Sequence, residues 1–192
     1  MGRIETIDPK RATGPTKELL DGVQRKIGMV PQMMRAMATS PATLGAYLAM
    51  GEALGTGKLD SKLREQIALT TAEANGCDYC LAAHSAIGKS VGLSAEQIAG
   101  SRRAASPDRR VDAALKFAEK LVEAHGWADD EDMQTLRQVG YDDGEIGEII
   151  ANVAHSLFSN YFNHVAEPAI DFPPAAPLRV EDESCTTATR AA

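Results

Sequence analysis

No apolar run in this sequence approaches the roughly 18 residues that a membrane-spanning helix requires. No stretch alternates apolar and polar residues in the way of a half-buried strand. Basic excess is missing too: 27 acidic residues against 20 Lys and Arg leave a formal net charge of −7. That balance argues against non-specific nucleic-acid binding, which needs a basic face to neutralise phosphates. Arg102-Arg103 and Arg109-Arg110 are too short to change it. The amino terminus, MGRIETIDPKR, lacks the apolar core of a secretory signal, so cytoplasmic residence is expected. Cysteine is scarce: three residues, an odd number without framework spacing, which argues against a secreted disulfide scaffold.

What is present reads as helix throughout. Thr13-Gly14-Pro15 opens a helix through Leu19, Leu20, Val23 and Ile27, with proline suited to its first turn. Gly28 to Met34 reads as a turn into a short apolar segment. Ser40-Pro41 starts a helix to about Gly55, and Asp60 or Ser61 starts the next, to about Ala74. Asn75-Gly76 breaks it, and Cys77 stands at or near the first turn of a new helix. Ser94 with Gln97 forms a capping-box pattern. Further helices are expected from Asp108 to about Ala124, Asp129 to Val139, and Asp142 to about Val165. The architecture is all-α, a single domain over residues 1–174 of the 192, with an extended, then disordered tail over 175–192.

A degenerate internal helical repeat is visible. Glu65 precedes Cys77 by twelve positions and Cys80 by fifteen; Glu148 precedes Asn160 and Asn163 by the same intervals. In the second copy asparagines stand where thiols stand in the first, leaving one candidate redox centre.

That centre is Glu65, Cys77, Cys80 and His84. On a helix, positions i, i+3 and i+7 share a face, so both sulfurs and the imidazole point the same way. Unpaired N–H groups near a helix start favour a Cys77 thiolate, and Cys80 is placed to hydrogen-bond His84. If the preceding helix folds back, Glu65 reaches His84, and a Glu–His–Cys relay can take the proton from a thiol. Glu73 reads as a capping or solvent-facing carboxylate; His125, His155 and His164 read as structural or solvent-facing. Zinc is the competing use of the cysteines. C-x-x-C gives only half a tetrahedral site, and no second C-x-x-C or H-x-x-x-H completes it. Leu81, where covalent haem attachment needs His, excludes that cofactor. Buried cysteines beside a core histidine are the plain structural alternative.

With these residues the sequence resembles the alkylhydroperoxidase D-like branch of the carboxymuconolactone decarboxylase superfamily. The resemblance rests on Glu65, Cys77-Asp78-Tyr79-Cys80 and His84, on Gly28-x-Val30-Pro31-x-Met33, and on Asn160-Tyr161-Phe162-Asn163 with Asp171-Phe172-Pro173. It implies an all-helical homo-oligomer, trimeric or hexameric, with thiol-dependent peroxidase activity and no metal or organic cofactor. In that implied chemistry Cys80 attacks a hydroperoxide, Cys77 resolves the sulfenic acid to a disulfide, and His84 with Glu65 relays the protons. A dithiol or protein reductant, lipoyl- or thioredoxin-like, then restores the thiols. Tyr79 stands where some members carry a second histidine. It could donate a hydrogen bond to the leaving hydroxide but cannot act as a base near neutral pH. Met33, Ala82, Ala83 and Ile87 are either apolar lining suited to organic hydroperoxides or simply core. Two other functions fit the superfamily or the motif: carbon–carbon lyase chemistry on a lactone acid, and a non-enzymatic redox sensor that changes assembly.

Overall fold

Side-chain caps set the helix boundaries. The computed structural model describes residues 2–178, and among them there are nine helices and no strand. Helix α1 (Gly14–Ile27) has Pro15 in its first turn and ends at Gly28, in the left-handed region at φ +82°. The short α2 (Gln32–Met37) follows Pro31. Ser40 caps α3 (Pro41–Gly55), and the Asp60 carboxylate accepts from the Leu63 N–H at the start of α4 (Ser61–Ala74). After the break comes α5 (Asp78–Ser90), with Cys77 as its N-cap. Capping boxes open α6 (Ala95–Arg102), α8 (Asp130–Gln138) and α9 (Asp143–Ala166), while Asp108 alone caps α7 (Arg109–Glu123).

The α4 helix runs through the middle, packed on α5, α6, α7 and α9. It is buried from Gln66 to Ala72 without interruption, as expected of a helix enclosed on all sides. Its polar side chains are satisfied locally: Thr71 donates to the Ile67 carbonyl (2.8 Å), and Thr70 donates to that of Ser101 (2.6 Å). On one side Leu63 and Ile67 meet Leu115, Phe117 and Leu121 of α7, Leu136 of α8, and Ile146, Ile149 and Val153 of α9. A second apolar cluster joins Leu20, Met33, Met37 and Leu44 to Cys77, Tyr79, Cys80 and Leu81. The two thiols therefore sit in a hydrophobic core. Ile67 has no exposed surface. Ile67→Ala is expected to destabilise the protein by about 2–5 kcal/mol, read as a lower denaturant midpoint at unchanged slope.

The twelve-residue interval that suggests a repeat is realised in two different ways. In the first copy the chain breaks at Gly76, held at φ +66°. In the second, Phe158-Ser159 takes the place of Asn75-Gly76, and α9 runs unbroken through Asn160 and Asn163. Glu148 also differs from Glu65. Its carboxylate accepts from the backbone N–H groups of Lys58 (2.9 Å) and Leu59 (3.0 Å). A Cβ at Gly57 would fall 2.5 Å from that carboxylate, so a side chain there would push Glu148 off the loop.

After α9 the chain runs back over α5 and α6, where Arg102 donates to the Ala176 carbonyl and Ala175 packs on the second core. Residues 175–178 of the expected tail are thus in contact with the domain. The remainder, with Cys185, lies outside the described residues.

Candidate active site: a buried dithiol beside a carboxylate-held histidine

The turn between α4 and α5 fixes the first cysteine from both sides. The Cys77 N–H donates to the Ala72 carbonyl (2.9 Å) and the Gly76 N–H to that of Glu73 (3.0 Å). This paired closure of a helix end needs a left-handed residue, and Gly76 supplies it. Cys77 thereby terminates α4 while opening α5, and α5 folds back along α4.

One turn in, the Cys80 sulfur lies 2.6 Å from that of Cys77; both are buried, free cysteines. The pair loses its first proton readily and holds its second tightly, since a second negative charge would lie against the first. Cys77 is drawn down to about 6 by the Cys80 sulfhydryl, against the opposing effect of burial, with help from the Cys80 amide and from Asn163. Cys80 is raised by its neighbour Cys77 and by burial. At neutral pH the dithiol therefore carries one negative charge and one shared proton.

Glu65 and His84 meet directly: His84 Nδ1 is 2.8 Å from Glu65 Oε2, with both side chains 18% exposed. Burial pushes His84 down, but the Glu65 charge and hydrogen bond, and the charge at Cys77, outweigh it and raise it above its ordinary value. The imidazolium form is thus easier to reach than for a free histidine, and Nδ1–H donates to the carboxylate. Among the described residues no hydrogen bond joins His84 to either sulfur, unlike the Cys80–His84 bond that the spacing led us to expect. The imidazole turns to the carboxylate, a stronger acceptor than a thiol. Cys80 faces α9 instead, where Asn163 Nδ2 donates to its sulfur at 3.1 Å and lies 3.2 Å from Met33 Sδ. Asn160 is fully buried on the same face and accepts from Asn75 Nδ2 at 3.3 Å.

Several other residues have different work from that expected. Tyr79 donates its hydroxyl to Asp171 Oδ2 (2.7 Å) and accepts from the Met33 N–H (3.2 Å). Asp171 also accepts from the Gln32 N–H at 2.6 Å, and the Phe172 ring stands edge-on to Tyr79. This phenol pins α2 and the C-terminal segment to the back of the site, so it is not free to serve a leaving group. Glu73 pairs with Arg102 at 2.6 Å rather than capping or facing solvent. His155 keeps its structural role: it stacks on Tyr47 with centroids 4.5 Å apart, and burial lowers it, so neutral Nε2–H donates to the Tyr47 carbonyl (3.1 Å). Tyr47 itself was not legible as a site residue. Its phenol is raised chiefly by burial and also by the charges of Cys80 and Glu65, which places it on the α3 side of the dithiol.

Among the described residues no cluster of three or more His, Cys, Asp or Glu has the arrangement of a metal site, and no helix is long and apolar enough to cross a membrane.

The carboxymuconolactone decarboxylase family matches residues 41–124, the stretch that carries Glu65, Cys77, Cys80 and His84. No curated protein matches the chain. Among solved structures, an uncharacterised peroxidase-related protein from Ralstonia eutropha with an alkylhydroperoxidase AhpD core is 28% identical. The similarity covers 88% of this chain and 92% of that one, with a TM-score of 0.78. A peroxidase-related protein from Silicibacter is 27% identical over 92% of this chain and 96% of that one, with a TM-score of 0.70. The debrominase Bmp8, solved with 2,3,4-tribromopyrrole, is similar in fold at 20% identity, covering 88% and 91% of the two chains with a TM-score of 0.76. Sequence match and fold agree: residues 41–124 match the carboxymuconolactone decarboxylase family, and the chain has the all-helical fold of alkylhydroperoxidase D-like proteins.

Proposed function

We propose that the protein is a thiol-dependent peroxidase that reduces hydroperoxides with the Cys77–Cys80 couple. The observation that carries this reading is two buried sulfurs 2.6 Å apart in a pair held singly ionised near neutral pH. In the proposed cycle the shared proton moves to Cys77, and the Cys80 thiolate attacks the terminal oxygen of R–O–O–H. An S–O bond forms and the O–O bond breaks; sulfur gives up two electrons, and the departing alkoxide takes a proton from the His84 imidazolium. His84, now neutral and held by Glu65, accepts the Cys77 proton. The Cys77 thiolate attacks the Cys80 sulfur, the S–S bond forms, the S–O bond breaks, and hydroxide leaves as water with the proton from His84. A dithiol reductant, lipoyl- or thioredoxin-like, restores both thiols by exchange. The cycle calls for a reducing compartment, in keeping with a cytoplasmic setting.

A homo-oligomer is part of the same proposal. The α3 helix turns Ala42, Ala46, Ala49 and Ala53 to solvent, and α9 exposes Ile150, Ala154, Tyr161 and Val165 along one face. Such faces suit close packing against further copies.

The test is to titrate the reduced protein with an organic hydroperoxide. Each equivalent should yield one alcohol and one Cys77–Cys80 disulfide, and a dithiol should sustain turnover. The family match favours one competitor, a lyase on a lactone acid, for which alkylated thiols would leave activity intact. A disulfide that changes the oligomer without turnover would instead support a redox sensor. Either result overturns the peroxidase reading.

A further inference from the structure

Asn163 and Asn160 face the dithiol from α9, and the cycle above gives neither of them work. They lie three residues apart, on one face of the helix, 4% and 0% exposed. Asn163 spends its amide N–H on the sulfurs of Cys80 and Met33, which are weak acceptors. Its Oδ1 is buried with no partner, and so is the Nδ2 of Asn160. The Asn160 oxygen is already committed to Asn75, which leaves its amide as the free end, and that amide acts on Cys80. Buried polar atoms are ordinarily paired. Here one acceptor and one donor are both left open beside the same sulfur.

We propose that Asn163 and Asn160 form the cradle for the oxygen atom that Cys80 carries after it attacks a hydroperoxide. The inference rests on the peroxidase reading and assigns two residues to it. A sulfenic hydroxyl brings one donor and an acceptor oxygen. Its O–H donates to Asn163 Oδ1, and its oxygen accepts from Asn160 Nδ2. While the O–O bond breaks, charge builds on the transferred and departing oxygens, and a fixed amide donor lowers that cost without itself needing to reorient. Neutral amides suit this position. A carboxylate would repel the thiolate, and a cation would lock it as a tight ion pair. The cradle also holds the hydroxyl while Cys77 comes in, after which the S–O bond breaks and both amides are released.

The experiment uses Cys77→Ser, in which Cys80 cannot be resolved, and follows its oxidation by tert-butyl hydroperoxide with dimedone trapping and mass spectrometry. In that background Asn160→Leu is expected to slow sulfenic acid formation on the order of ten- to hundred-fold. The thiolate titration, read by ultraviolet absorbance, should shift upward only slightly, because Asn160 favours the Cys80 thiolate less than Asn163 does. Asn163→Leu should slow formation as much and also shift the titration upward, since it removes a donor from the thiolate. Asn163→Asp, nearly identical in shape, keeps the test open if the leucine variant does not fold, and is expected to slow formation at least as strongly. Unchanged formation rates in Asn160→Leu and Asn163→Asp overturn the cradle while leaving the peroxidase standing. Absence of Cys80 sulfenic acid in the Cys77→Ser parent overturns the cradle, and absence of sulfenic acid in Cys80→Ser as well overturns the peroxidase reading with it.

Discussion

Replacement of Cys80 by serine is expected to abolish dithiol-dependent hydroperoxide reduction, a loss at least on the order of 10³-fold. The magnitude follows from what is removed. A hydroxyl at this position stays protonated throughout the accessible pH range and is a poor nucleophile toward O–O bonds, whereas the thiol shares a pair that ionises near 6. The change is otherwise mild: serine preserves the helical position, and Cys80 is only one member of a larger apolar cluster. Folding should therefore survive, and a thermal melt checks it. Cys77→Ser should behave differently. It should consume one equivalent of peroxide in a single burst and then stall with oxygen on Cys80, because the resolving sulfur is missing. The contrast is the informative part. If Cys77→Ser stalls before any peroxide is consumed and Cys80→Ser shows the burst, the roles of attack and resolution are exchanged. If both variants turn over like the parent protein, the dithiol is not the catalytic group.

Helix boundaries and the Glu65–His84 meeting were legible in the sequence for a local reason. Caps at Ser40, Asp60, Ser94, Asp108, Asp129 and Asp142 are short-range signals, and each stands at the start of its helix. Asn75-Gly76 marks the fold-back, and once α5 returns along α4 the two residues fall opposite each other. What stayed hidden was contact across long sequence separations. Asn163 reaches Cys80 over 83 positions, Asp171 reaches Tyr79 over 92, and His155 reaches the Tyr47 carbonyl over 108. Periodicity says which face of α9 is inward but not which residue of α5 it meets. The register match of Asn160 and Asn163 with the thiols pointed to the right residues and missed their action, since it read them as lost cysteines. Tyr79 illustrates the converse. Its place between the cysteines implied chemistry, yet α2 and the Asp171 segment claim its hydroxyl.

Removing the charge of Glu65 is expected to reshape the pH dependence of peroxide reduction, and with it stability. In the parent protein the rate should rise through about pH 6 as the pair gives up its first proton. It should fall again only above the ordinary histidine range, where His84, raised by Glu65, loses the proton it supplies to the alkoxide. In Glu65→Gln the carboxylate no longer offsets burial, so His84 drops and the falling limb moves toward the rising one. The rate near pH 7.5 should then decrease on the order of 10²-fold, while thiolate formation, read by ultraviolet absorbance, stays near its parent midpoint. His84→Asn should lose the falling limb altogether at a similarly reduced rate. Stability follows the same sign. A histidine raised on folding contributes fully below its unfolded value of about 6.5, and that contribution is lost as pH rises through its folded value. The stability gap between parent and Glu65→Gln should accordingly be widest in mild acid and narrow toward alkaline pH, as measured by denaturant midpoints across the range. A falling limb that stays in place in Glu65→Gln, with a stability gap independent of pH, would mean that the proton for the leaving oxygen comes from another donor than His84. Tyr47, on the α3 side of the same sulfur, would then be the residue to substitute next.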